Sequence, residues 1–105
     1  MSIIDEKINN GYDKKIVEAV SLYMRVPKEV IEVENDLNDP EYTLVFLKNV
    51  DTNAPRMRLG IHELGRHEGA RIEVTGEGKQ RQVRIQIEDA NIEAITEFML
   101  SRQKK

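Results

Sequence analysis

The sequence predicts an α+β open-faced sandwich, a mostly antiparallel sheet with about three helices on one face. Apolar residues recur at helical spacing over residues 13 to 25 and again over 92 to 99. Between them, two runs alternate strictly between apolar and polar residues, one after Gly69 and one after the turn GEGK. Helices at both ends and paired alternating strands between them bury one face of a sheet and leave the other to solvent.

The elements follow in order. Residues 2 to 8 are read as a strand. Ile16, Val17, Ala19, Val20, Tyr23 and Met24 then line one side of a first helix, with Asp13 near its start as a cap and Pro27 just past its end. Glu29 to Glu34, EVIEVE, alternates as a strand, and NDLNDP is a loop made of turn residues. Glu41 to Lys48, EYTLVFLK, is β-rich and apolar on both sides, which predicts the middle of the sheet and places Phe46 in the core. A polar loop, NVDTNAPR, leads through Pro55 into a short helix carrying Met57, Leu59, Ile61 and Leu64, and the helix stops at Gly65. Ala70, Ile72 and Val74 alternate with Arg71, Glu73 and Thr75. Across the GEGK turn, Val83, Ile85 and Ile87 alternate with Gln82, Arg84 and Gln86, so a hairpin with one solvated face is expected. Asp89 is positioned to cap a last helix with Ile92, Ile95, Phe98 and Met99 inward, and SRQKK sets positive charge at its negative end.

A chain of 105 residues has material for one core, so residues 1–105 are read as a single domain. Hydrophobic residues at 39% and charged residues at 33% exclude a disordered or membrane-embedded class. No apolar run approaches the roughly 18 to 20 residues of a bilayer span, and MSIIDEKINN has acids where a secretory signal has a basic region. A cytoplasmic protein without membrane contact is the expectation. The absence of cysteine removes disulfides, thiol nucleophiles and cysteine-based zinc sites together. A net charge of −3 disfavours overall attraction to nucleic acid.

LGRHEGARIEVTGEG resembles the second-helix end, glycine turn and fourth strand of the histidine-containing phosphocarrier (HPr) family of the bacterial sugar phosphotransferase system. NGYDKKIVEAV is similar to the entry into that family's first helix, where the family has Asn-Gly-x-His-x-Arg-Pro-Ala. The resemblance implies an HPr-like fold with an additional strand, KQRQVRIQI, and an extended loop over residues 37 to 55. It also implies a degenerate member, because Asp13 stands where the family's phosphate-accepting histidine would be. Lys15 replaces the family arginine, Ile16 the helix-opening proline, and APRMRLG carries no regulatory serine.

The leading expectation is therefore a noncatalytic, HPr-like protein-interaction or regulatory module without phosphocarrier activity. By resemblance its protein partner meets the starts of the first two helices, at Asp13, Lys14, Lys15, Arg56 and Arg58. An alternative is nucleic-acid binding through a strand face bearing Arg71, Arg81 and Arg84, whose affinity would fall steeply with salt. A further alternative is a phosphoryl carrier of the sugar phosphotransferase type with a non-standard acceptor, Asp13 or a histidine. The added strand is also a potential edge for pairing with a second copy.

No enzyme and no cofactor are expected. His62 and His67 stand five apart with Gly65 between them, unlike the four-residue spacing of the zinc helix signature, so no metal site is expected. The glycines of GRHEG have neither P-loop nor KH-domain spacing and are explained by turn geometry.

Overall fold

A computed structural model of the chain describes residues 12–77 and 80–102. The strand expected at residues 2 to 8 lies outside the described residues. In chain order the elements are α1 (Tyr12–Met24), β1 (Ile31–Asn35), β2 (Tyr42–Asp51), α2 (Pro55–Gly65), β3 (Ala70–Thr75), β4 (Gln80–Glu88) and α3 (Ile92–Ser101). Short 3-10 turns at Lys28–Val30 and Asp89–Asn91 precede β1 and α3. The four strands form one antiparallel sheet in the order β1-β2-β4-β3. This is the α+β open-faced sandwich that the hydrophobic periods predict. Among the described residues no helix is long and apolar enough to cross a membrane.

Period-two alternation divides the sheet into two chemically different faces. Thr43, Val45 and Leu47 of β2 stand opposite Ile87, Ile85 and Val83 of β4, and all six are buried. They meet Ile16, Ala19, Val20, Tyr23 and Met24 from α1, Met57 and Leu64 from α2, and Ile92, Ile95 and Met99 from α3. Full burial of each large apolar side chain among them contributes about 1.5–3 kcal/mol. α1 packs chiefly on α3 and touches α2 less. Where α1 and α2 do meet, Gly60 is buried and a Cβ there would collide with Met24 Sδ.

Several expectations change. The strand near KQRQVRIQI is no edge: β4 is paired on both sides, with Val83, Ile85 and Ile87 at most 1% exposed. Among the described residues the edges are β1 and β3, so pairing with a second copy through β4 is not available. β2 runs past Lys48 to Asp51, through a bulge between Leu47 and Val50 where Asn49 has φ 55°. Asparagine tolerates this left-handed conformation, and the extra residue lets Val50 turn back into the core. Phe46 is not in the core, because its parity along β2 puts it on the uncovered face. Leu59 is 43% exposed, its inward place taken by Gly60 and the close passage of α1. Asp89 heads a 3-10 turn rather than capping α3, and its Oδ1 accepts a hydrogen bond from Thr43 Oγ1 at 2.7 Å.

Candidate functional site

Of the five residues expected at a partner face, Arg56 is drawn away from the first turn of α1. Lys14 and Lys15 are exposed in the first turn of α1, with Asp13 half-buried inside that turn, where its charge complements the positive end of the helix dipole. Arg56 is held at the opposite end of the same helix. Its Nε donates to the Tyr23 carbonyl at 2.8 Å and its guanidinium lies 5.0 Å from the Tyr23 ring centroid. Tyr23 is about 15 Å along the axis from Asp13 at 1.5 Å per residue. Arg58 is exposed on α2, whereas Arg56 secures the helix layer.

The densest polar cluster was not legible as a motif. It lies where the ends of the three helices meet. The buried Tyr23 hydroxyl donates to Glu63 Oε1, and Arg102 donates to Glu63 Oε2. Phe98 stands edge-on to Tyr23 with centroids 5.9 Å apart, and His67 stands edge-on to Phe98 at 5.3 Å. Burial pushes the Tyr23 phenol well above its ordinary range, helped by its hydrogen bond to Glu63 and that group's negative charge. Burial also pushes the Glu63 carboxyl upward, but hydrogen bonds from Tyr23 and Arg102, with the charges of Arg102 and Arg56, outweigh it and hold the group below the usual carboxylate range. The phenol and the guanidinium both donate to the one carboxylate, so each polar group of the cluster is engaged by another. The cluster ties three helices together.

Among the described residues no three histidine, aspartate or glutamate side chains gather as a metal site. His62 is exposed on α2, and His67 Nδ1 lies 2.8 Å from the Glu68 carbonyl. A cavity of about 330 Å³ opens between the end of α1 and the β2 bulge, lined mainly by Met24, Val26, Val30, Val50 and Met57. Arg25 and Asn49, both at positive φ, stand on its rim.

The other notable surface is the uncovered face of the sheet. Strand register arranges it in rows: Glu34, Leu44, Gln86 and Arg71 form one, and Glu32, Phe46, Arg84 and Glu73 the next. Tyr42 beside Glu88 extends the face at one end. Tyr42, Leu44 and Phe46 thus form a half-buried stripe along an interior strand. Lys48 pairs with Glu32 at 2.7 Å and Arg84 with Glu73 at 3.6 Å. Gln86 Nε2 donates to Oδ2 of the buried Asp36 at 2.9 Å, spanning β2. Arg71 and Arg84 belong to this face, but Arg81 shares the parity of Val83 and Ile85 and lies toward the other side. The arginine trio expected for nucleic acid is therefore not one surface.

Comparison of the chain with protein-family models, with curated proteins and with solved structures finds no match.

Proposed function

We propose that the protein is a noncatalytic, HPr-like interaction module without phosphocarrier activity, and that its docking surface is the open face of the sheet. The observation that carries this reading is the stripe Tyr42, Leu44 and Phe46 on the interior strand β2, left uncovered among the described residues while every described helix packs on the opposite face. Aromatic and aliphatic anchors within a polar border are the composition of a protein interface. Glu32, Glu34, Glu73 and Glu88 outnumber Lys48, Arg71 and Arg84 on this face, and two of the three cations are already paired, which favours a protein partner over a polyanion. The resemblance supports the same reading, since Asp13 in place of the acceptor histidine leaves binding as the inherited property.

Affinity capture from the native cytosol tests it, using wild type, Leu44→Asp with Phe46→Asp, and the Lys14→Glu, Lys15→Glu, Arg58→Glu reversal. The sheet-face variant should lose the bound protein while the reversal retains it. Retention by the sheet-face variant and loss by the reversal would return the site to the helix starts.

One observation favours nucleic acid as a second reading: Phe46 stands beside Arg84 on the open face, an aromatic next to a cation. Binding of a single-stranded oligonucleotide that weakens steeply with salt and disappears in Phe46→Ala would support it. Absence of binding at low salt removes it.

A further inference from the structure

We infer that the open sheet face is built to take a second copy of this chain, face to face, about a two-fold axis parallel to the strands and lying between β2 and β4. This rests on the reading of that face as a docking surface and names its occupant.

Among the described residues three charges on this face are left over, Glu88 at one end beside Tyr42 and two in a single row. Glu32 is neutralised by Lys48 and Arg84 by Glu73, but among the described residues Glu34 and Arg71 have no ion-pair or hydrogen-bond partner. They occupy opposite edge strands in the same row, with Leu44 and Gln86 between them. At a strand spacing of about 4.8 Å they stand about 14 Å apart, too far to meet within one chain. A two-fold axis parallel to the strands keeps each residue at its own level and exchanges the two edges. Glu34 of each copy then faces Arg71 of the other. An axis across the strands instead sets β1 on β1, where both charges on this face, Glu32 and Glu34, are acids and oppose each other.

The same operation lays β2 of one copy over β4 of the other. Tyr42, a phenol, faces the Glu88 carboxylate. Leu44 faces the aliphatic stem of Gln86, and the Phe46 ring faces the Arg84 guanidinium, an aromatic-cation pairing. The remaining opposition, Glu32 with Glu73, joins two carboxylates that each already have a cation in their own chain. The rows are therefore self-complementary under one operator, which is the requirement of an isologous interface. Two sheets stacked in this way sit about 10 Å apart with their strands roughly aligned.

The size of the face sets the strength. Four strands by about six residues cover roughly 350–400 Å² per copy in projection at standard strand spacings. The total falls below the roughly 1,200 Å² of a stable interface, so a weak, concentration-dependent association is expected.

Sedimentation equilibrium of the purified chain, from about 20 μM to about 2 mM, with Glu34→Arg and Arg71→Glu alone and mixed, tests the inference. Wild type should dimerise with rising concentration, and each single variant should weaken the dimer more than about tenfold by opposing like charges. An equimolar mixture of the two variants should recover association. In that mixed pair the two introduced side chains face each other with opposite charge, and so do the two native ones. A strictly monomeric wild type overturns the inference, as does a dimer insensitive to both reversals or one that mixing does not restore. Far-UV circular dichroism on each variant separates misfolding from lost pairing. If wild type is monomeric yet Leu44→Asp with Phe46→Asp still abolishes capture of a different protein, the docking face stands and only its occupant is wrong.

Discussion

Replacing Tyr23 by Phe isolates one oxygen atom in the cluster that joins the three helices. The ring remains, with its edge contact to Phe98 at 5.9 Å and Arg56 at 5.0 Å above it, so packing changes little. What is lost is the hydrogen bond from a buried hydroxyl to an ionised carboxylate, worth about 1.5–3 kcal/mol. Glu63 keeps Arg102, whose side chain is 37% exposed, so that remaining pair contributes at most about 1 kcal/mol. Urea unfolding at pH 7 should show a loss of about 2 kcal/mol with an unchanged m-value.

The pH dependence gives a second signature. The Glu63 carboxyl is held below its ordinary value, so its stabilisation is present above about pH 4.3 and is lost as pH falls through the depressed folded-state value. The gap between wild type and Tyr23→Phe should narrow on that acid side. On the alkaline side the Tyr23 phenol is raised, so the unfolded chain releases its proton from about pH 10 while the folded chain keeps it. Wild type alone loses stability there, and the gap narrows again. A loss under about 0.5 kcal/mol at pH 7, or a gap constant from about pH 3 to about pH 10.5, would refute the reasoning.

Gly69 has φ +87°, and a Cβ there would collide with the Asn91 side chain, so Gly69→Ala should destabilise by more than about 1–2 kcal/mol in the same assay. Ile85→Ala, at the centre of the buried face, should cost about 2–5 kcal/mol, and a thermal midpoint shift of only a degree or two would contradict its placement. Glu32→Ala, by contrast, breaks a pair whose side chains are 49% and 51% exposed and should change stability by no more than about 1 kcal/mol. Incubation with a phosphohistidine donor should leave the intact mass of the chain unchanged, whereas a phosphate adduct removed by Asp13→Asn would restore the phosphocarrier reading.

Periodic segments were readable because burial imposes a period. Val83, Ile85 and Ile87 had to share one side of a strand, and Ile16, Val20 and Tyr23 one side of a helix. Pairing order was less accessible. Nothing local in KQRQVRIQI says that its neighbours are β2 and β3, since both the edge and the interior of a sheet accept one alternating apolar face. Phe46 was misplaced because EYTLVFLK is apolar at nearly every position, and a run without alternation does not state which parity faces inward.

The polar residues followed the same logic. A tyrosine on a core stripe signals a buried hydroxyl in need of an acceptor, but with 19 acidic residues in the chain the choice of Glu63 is set only by the crossing of α1, α2 and α3. The expected gathering of Lys14, Lys15 and Arg56 failed because α2 delivers Arg56 to the far end of α1. Arg71 and Arg84 were correctly assigned to a solvated face, whereas Arg81 falls on the opposite parity next to the β2 bulge. That bulge was hidden in a segment whose composition reads as a loop.

If the open sheet face is the docking surface, it must be covered when the protein is engaged. Hydroxyl-radical footprinting of the chain in its native complex, against the dilute purified chain, measures this at Tyr42, Leu44 and Phe46 directly. Strong protection of these three residues, with Lys14, Lys15 and Arg58 unchanged, is the predicted result. Protection at the start of α1 and on α2, with Phe46 oxidised as fast as in the free chain, would contradict it.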